Sequence, residues 1–129
     1  RFHGAYDNHR VDNLMRGCDV VVLPSIWWEN SPVVIQEARR NRVPIVCSNI
    51  GGMAEKVIPG TDGWHFNVGS APDLAALLHS LATTPDRVAA IRASIRPPAS
   101  SREGVVEHLA AYENLYPAPV AAPHAVDEG

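Results

Sequence analysis

The sequence predicts an α/β fold built on a parallel sheet with helices on its faces. Three observations carry this. Short apolar runs rich in β-branched residues alternate with amphipathic stretches through the first two thirds of the chain. Asp19-Val20-Val21-Val22-Leu23 is a continuous apolar run after its first residue, the pattern of a strand buried on both faces. Gly and Pro punctuate each change of period, as at Pro24-Ser25, Gly51-Gly52 and Pro59-Gly60.

Arg1 to His3 reads as the end of a strand that turns at Gly4. Asn8 is a candidate N-cap for a helix from about His9 to Arg16, with Val11, Leu14 and Met15 on one face and Gly17 at its end. Val20 to Leu23 is the next strand. A helix then starts at Ser31 or Pro32 and runs to about Asn41; Pro at the first helical position loses no hydrogen bond. Pro44 to Ser48 is a strand, and Gly51-Gly52 turns it into a short helix, Met53 to Ile58. Asp62-Gly63 is a turn, and Trp64 to Phe66 a short strand. Ser70 or Ala71 opens a helix with Leu74, Leu77, Leu78 and Leu81 at helical spacing, and Pro85 opens another with Val88, Ile91 and Ile95. Pro97 to Ser101 breaks the chain before a last helix, Glu103 to Tyr116. The Pro/Ala-rich stretch from Pro117 to Gly129 reads as a disordered tail. Three or four strands are too few for a complete doubly wound sheet of about six. The arrangement is Rossmann-like and looks like the C-terminal part of one.

Bulk properties narrow the function. The chain has 129 residues, 46% of them hydrophobic and 19% charged, as expected of one compact globular domain. A net charge of −3 argues against a nucleic-acid partner, which draws a basic stripe. No apolar run approaches the ~20 residues of a membrane helix. Cys18 and Cys47 lie beside predicted strands and read as buried free thiols of a cytoplasmic protein. The six histidines and two cysteines show no metal-ligand spacing, so no metal is expected. Neither a Walker loop nor a G-x-G-x-x-G loop is present. With no initiator Met and no signal peptide, the chain reads as a piece of something longer.

The chemistry concentrates in Trp28-Glu29-Asn30-Ser31-Pro32-Val33-Val34-Ile35-Gln36-Glu37-Ala38. Strand, loop and helix in that order make an anion corner, because the first-turn amides lack helical partners. The amides of Asn30, Ser31, Val33 and Val34 are the candidate donors. On a helical wheel with Val33 at zero and ~100° per residue, Glu37 falls at ~40°, between Val33 and Val34 at ~100°. That places Glu37 on the inward side. A carboxylate there needs donors: the two adjacent hydroxyls of a ribose, or a backbone amide or core Arg. Glu29 precedes the helix, where the positive helix end favours an anion. It reads either as a surface carboxylate or as an acceptor for neutral hydroxyls at the far end of a bound ligand.

These residues resemble the C-terminal domain of GT-B-fold retaining glycosyltransferases of the group 1 (family 4) type. The resemblance runs from about Arg1 to Tyr116. It rests on Asp19 to Ser25, then Glu29 and Glu37 with seven residues between them, then Pro44 to Ser48, Gly51-Gly52-Met53-Ala54-Glu55 and Gly60-Thr61-Asp62-Gly63, in that order. It implies a donor-binding domain for a nucleoside diphosphate sugar, in a parent hexosyltransferase that forms polysaccharides or glycoconjugates. Glu29 would act at the catalytic centre on the hydroxyls of the donor sugar. Glu37 would accept from the ribose hydroxyls. The amides around Asn30, Ser31, Val33 and Val34 would hold the diphosphate. The turn at Gly4-Ala5-Tyr6 would lie by the nucleobase, or be a plain β–α turn with a packed Tyr. The partner it implies is an N-terminal acceptor-binding domain outside this sequence, and neither a cofactor nor a metal.

The sequence departs from that pattern in one respect. No Arg and Lys precede Phe2 to neutralise the diphosphate. The chain alone is therefore expected to bind part of a donor and to be inactive as a transferase. The parent is expected in the cytoplasm, at most peripheral to the inner face of a membrane. Trp27-Trp28 would line the donor pocket, pack on the partner domain, or join the core. The rival reading is a non-catalytic Rossmann-like nucleotide-binding or protein-interaction module.

Overall fold

A computed structural model describes residues 4–98 and 101–115. A short 3-10 turn, Asn8–Arg10, leads into α1 (Val11–Arg16). Then follow β1 (Val21–Leu23), α2 (Val33–Arg40), β2 (Ile45–Ser48), α3 (Gly51–Lys56), β3 (Gly63–Phe66), α4 (Ala71–Thr83) and α5 (Pro85–Ser94). The chain clusters into two units, one ending at Pro98 and one starting at Ala99; the second contains α6 (Ser101–Leu115).

The three strands form one parallel sheet in the order β1-β2-β3, with Val22 opposite Val46 and Val46 opposite Trp64. This is the partial Rossmann-like α/β arrangement that the alternating pattern predicts. Every residue of the central strand β2 is buried. Alternate residues of β2 feed two separate cores. Ile45 and Cys47 pack with Val21 and Leu23 against Met15, Ile35, Ala38 and Met53 of α1, α2 and α3. Val46 packs with Val22, Trp64 and Phe66 against Leu77, Leu81 and Ile91 of α4 and α5. Successive side chains of a strand point to opposite faces, so one buried strand serves both layers. Each βα crossover returns the chain to the same end of the sheet, which gathers the loops after β1 and β2 at one edge.

Several element ends differ from expectation. Gly51 and Gly52 are the first residues of α3, not a turn before it, and Gly51 has φ +52. Pro32 is the N-cap of α2, and Val33 the first helical residue. Asp7, not Asn8, sits at the cap of the first turn, and no side chain bonds there. Cys18 is exposed, against the buried thiol expected; its Sγ donates to the Leu14 carbonyl at 3.4 Å. The strand expected at Arg1 to His3 and the tail expected from Pro117 lie outside the described residues.

A partly buried ion pair, with its Asp buried, ties the end of α2 to the turn before β3. Asp62 is 5% exposed. It accepts from Arg39 Nε at 3.0 Å and from the Ile58 amide at 2.5 Å, and Arg39 also donates to the Lys56 carbonyl. Removing one partner strands the other in a low-dielectric site. Asp62→Asn is therefore expected to destabilise the fold by about 3 kcal/mol in urea unfolding. No loss would show the pair to be dispensable.

Burial pushes the Cys47 thiol up to about 12 from its ordinary 9.0, with the nearby Asp62 charge adding to it. Native Cys47 should resist a thiol reagent near pH 8 while exposed Cys18 reacts. The linkage has a definite sign. Above pH 9 the unfolded thiol ionises and the folded one does not, so stability falls as pH rises from about 9 toward 12. The slope in that window should be shallower for Cys47→Ala than for the wild type in pH-resolved urea melts.

Candidate functional site

The site grows from the end of β1. After Leu23 the chain turns at Pro24-Ser25, and the Trp27 amide donates to Ser25 Oγ at 3.2 Å. The Glu29 amide bonds back to the Trp27 carbonyl at 2.9 Å, which folds the loop tightly on itself. The loop is then clamped from the side by α3. The Gly52 amide donates to the Glu29 carbonyl at 2.7 Å. A Cβ on Gly52 would lie 1.9 Å from the Asn30 carbonyl oxygen, which no side chain can tolerate. A Cβ on Gly51 would lie 3.2 Å from Trp28 Cα. The double glycine is thus the place where two backbones touch. Sequence reasoning saw it only as a turn; its signal was the pair of glycines directly after a buried strand.

Between the loop and α2 lies an open cavity of about 380 Å³. Leu23, Pro24, Ser25 and Glu29 wall it on the loop side, Pro32 and Val34 on the helix side, and Met53 closes it. Glu29 is half-buried, and among the described residues its carboxylate has no hydrogen-bond partner. The Ile35 amide bonds to the Pro32 carbonyl at 3.1 Å. Among the described residues this leaves the Val33 and Val34 amides unpaired at the start of the helix, next to the cavity.

The other predicted residues fall as follows. Asn30 and Ser31 are exposed at the mouth of the loop, and their amides have no partner among the described residues. Glu37 is half-buried but does not face the core. The buried face of α2 is centred on Ile35 and Ala38, both fully buried, whereas Val33 is 70% exposed. The wheel was therefore centred on the wrong side, and Glu37 sits on the flank beside Val34 rather than inward. Its carboxylate has no partner among the described residues, so neither a core amide nor a core Arg takes it. Gly4 and Tyr6 are not brought to Glu29. They line a different cavity, of about 380 Å³, with Val11, Met15 and Val21. Tyr6 is exposed, not packed in the turn.

Two arginines of α2 are already engaged. Arg39 is held by Asp62, and Arg40 donates to Asp12 Oδ1 at 2.7 Å, while Asn41 donates to the same oxygen at 2.8 Å. These donors, Asn41 first and Arg40 next, hold the Asp12 carboxyl below its ordinary value. Among the described residues no cation lines the cavity. Among the described residues no three His, Cys, Asp or Glu side chains gather where they could hold a metal. What the corner offers is chemically simple. Unpaired amides can receive anionic oxygens, and a free carboxylate can receive hydroxyls.

The family model for "Glycosyl transferases group 1" matches residues 1–96. Glycogen synthase of Mycobacterium tuberculosis (strain H37Rv) is 37% identical over 85 residues, covering 66% of this chain and 20% of that protein. The putative teichuronic acid biosynthesis glycosyltransferase TuaC of Bacillus subtilis (strain 168) is 39% identical over 51 residues, or 40% of this chain and 13% of that one. Among solved structures, Anabaena Alr3699/HepE in complex with UDP and glucose superposes with a TM-score of 0.72 at 26% identity. That match covers 86% of this chain and 32% of the other. The chain thus spans about a fifth or less of these curated relatives and about a third of the solved one.

The clamp can be tested without a ligand. Gly52→Ala should destabilise the fold by about 3 kcal/mol through overpacking against Asn30. Gly69→Ala replaces a glycine at φ +73 with open space around it, and should cost only about 1 kcal/mol. Equal losses in denaturant unfolding would mean that the loop yields freely to the added methyl.

Proposed function

The chain belongs to the glycosyl transferases group 1 family, and on that premise we propose that it is the C-terminal, donor-binding domain of a retaining GT-B glycosyltransferase. The observation that carries this is the cavity with a free Glu29 carboxylate on one wall and the unpaired amides of Val33 and Val34 beside the other. A nucleoside diphosphate sugar has the matching parts: a diphosphate for the amides and sugar hydroxyls for the carboxylate. The names of the relatives support hexosyl transfer in the making of polysaccharides or glycoconjugates, and the solved neighbour makes UDP the first nucleotide to try.

In this reading Glu29 accepts from the donor sugar and orients its anomeric carbon. The amides of Asn30, Ser31, Val33 and Val34 bind the diphosphate. Glu37 receives the ribose hydroxyls from the flank of α2. Gly4 and Tyr6 flank the nucleobase at the neighbouring cavity. The acceptor oxygen forms the new bond to the anomeric carbon as the bond to the diphosphate breaks. The diphosphate leaves with the electron pair and takes the acceptor proton, and configuration is kept. Preorganised donors that hold the departing charge supply most of the rate. Among the described residues, two negative phosphates meet no cation from this cavity wall. The charge is neutralised by basic residues of the parent, outside this chain, which also supplies an N-terminal acceptor-binding domain. The chain alone is inactive as a transferase, needs no metal, and its parent works in the cytoplasm.

Titration of the chain with UDP-, GDP- and ADP-glucose, read by backbone amide shifts, tests the reading. The amides of Asn30, Ser31, Val33 and Val34 should move for one nucleotide series. Glu37→Gln should weaken that binding about tenfold, the value of a hydrogen bond to a charged acceptor. In the full-length parent, Glu29→Ala should depress kcat more than nucleotide affinity. Absence of any shift at these four amides in the chain, with tight binding by the parent, would remove the diphosphate role. Unchanged affinity in Glu37→Gln would remove the ribose role.

A further inference from the structure

Ser25 and Glu29 both line the Glu29 cavity, and the residues between them do not. Those residues are Ile26, Trp27 and Trp28, which are 62%, 75% and 81% exposed. Two adjacent indoles largely open to water are costly, because each carries roughly 150–250 Å² of mostly apolar surface. The third tryptophan, Trp64, is buried in the sheet core beneath Arg87, so the exposure is particular to this loop.

The loop is rigid at its base. Ser25 Oγ holds the Trp27 amide, Trp27 holds the Glu29 amide, and Gly52 holds the Glu29 carbonyl. Gly51 lies against Trp28 Cα and against the edge of its ring, at 3.2 and 3.4 Å from a Cβ position. The indoles are therefore presented by a fixed backbone, which lowers the entropy lost when something stacks on them.

We propose that Trp27 and Trp28 form a stacking platform for the sugar rings of a saccharide acceptor. This rests on the donor reading above. An acceptor hydroxyl must reach the anomeric carbon of the sugar held by Glu29, so the acceptor must lie against the surface that borders the cavity. On this chain that outer border is the Ile26 to Trp28 loop. The chemistry matches a saccharide. A pyranose ring has C–H faces that stack on indole and an equator of hydroxyls. The hydroxyls find acceptors and donors in exposed Asn30 and Ser31. The area also matches. Two indoles present about 300 to 500 Å², below the ~800 Å² per partner of a stable protein interface. Such a patch suits one or two sugar rings better than a second protein surface.

Quenching of tryptophan fluorescence by acrylamide reads the platform directly, since buried Trp64 contributes little to the quenchable signal. Maltotriose, mannobiose and chitobiose are the probes, with and without the nucleotide sugar that binds best. At least one saccharide should shield the exposed pair and shift its emission to the blue. The shielding should be lost in Trp27→Ala and Trp28→Ala, which are exposed and should fold normally by circular dichroism, and kept in Val68→Ala, an exposed apolar residue that lines no cavity described above. No shielding by any of the three, in a chain whose Asn30, Ser31, Val33 and Val34 amides respond to the nucleotide sugar, would overturn the platform and leave the donor site standing. Loss of both responses would overturn both. Shielding that grows with protein concentration without sugar would make the occupant a second copy. Shielding already present in the sugar-free full-length parent would make it the other domain. Either result overturns the proposal.

Discussion

The close contact between Gly52 and the Glu29-Asn30 backbone is the constraint on which the rest of the site depends. The loop from Pro24 to Pro32, between a strand and a helix, has little of its own to hold it. Here a backbone hydrogen bond and a contact that excludes any side chain press it against α3. The loop then has one position, and the position decides what it displays. Glu29 is turned to the cavity, the start of α2 is aligned beside it, and two indoles are left on the outer surface. Removing the glycine would not remove a functional group, yet it would disturb all three.

The clamp works because α3 is itself placed by the core. Ile45 and Cys47 of β2 meet α1, α2 and α3, while Val46 of the same strand meets α4 and α5. A single buried strand therefore registers both layers. The Arg39–Asp62 pair joins the far end of α2 to the turn before β3. The helix that starts beside the cavity is thus fixed at both ends, by the Gly52-clamped loop before it and by a partly buried ion pair at its end.

Charge is distributed in a way that explains what the corner can and cannot hold. Arg39 and Arg40 are committed to Asp62 and Asp12. What faces an incoming anion is backbone, namely the unpaired amides of Val33 and Val34. Amides give direction and selectivity, but they do not neutralise two phosphates. Among the described residues, the corner is therefore set by geometry rather than by charge.

The element order, the parallel sheet and the identity of the strand-loop-helix corner were legible in the residues. Unbroken β-branched runs cannot sit on an exposed sheet, and period and punctuation do not depend on distant contacts. Glu29 was legible for the same reason, as a carboxylate next to a helix start. Three things depended on tertiary packing. Which face of α2 is buried was decided by what packs on Ile35 and Ala38, and it moved Glu37 from the inside to the flank. Arg39 and Asp62 meet across 23 positions of sequence, a distance no local pattern reports. Gly52 needed its missing side chain because another backbone, far away in sequence, passes where a Cβ would be. Sequence by itself determined which elements form and which residue types stand at the corner. The tertiary structure alone decided which of them share a cavity, because a cavity is made by surfaces that only packing brings together.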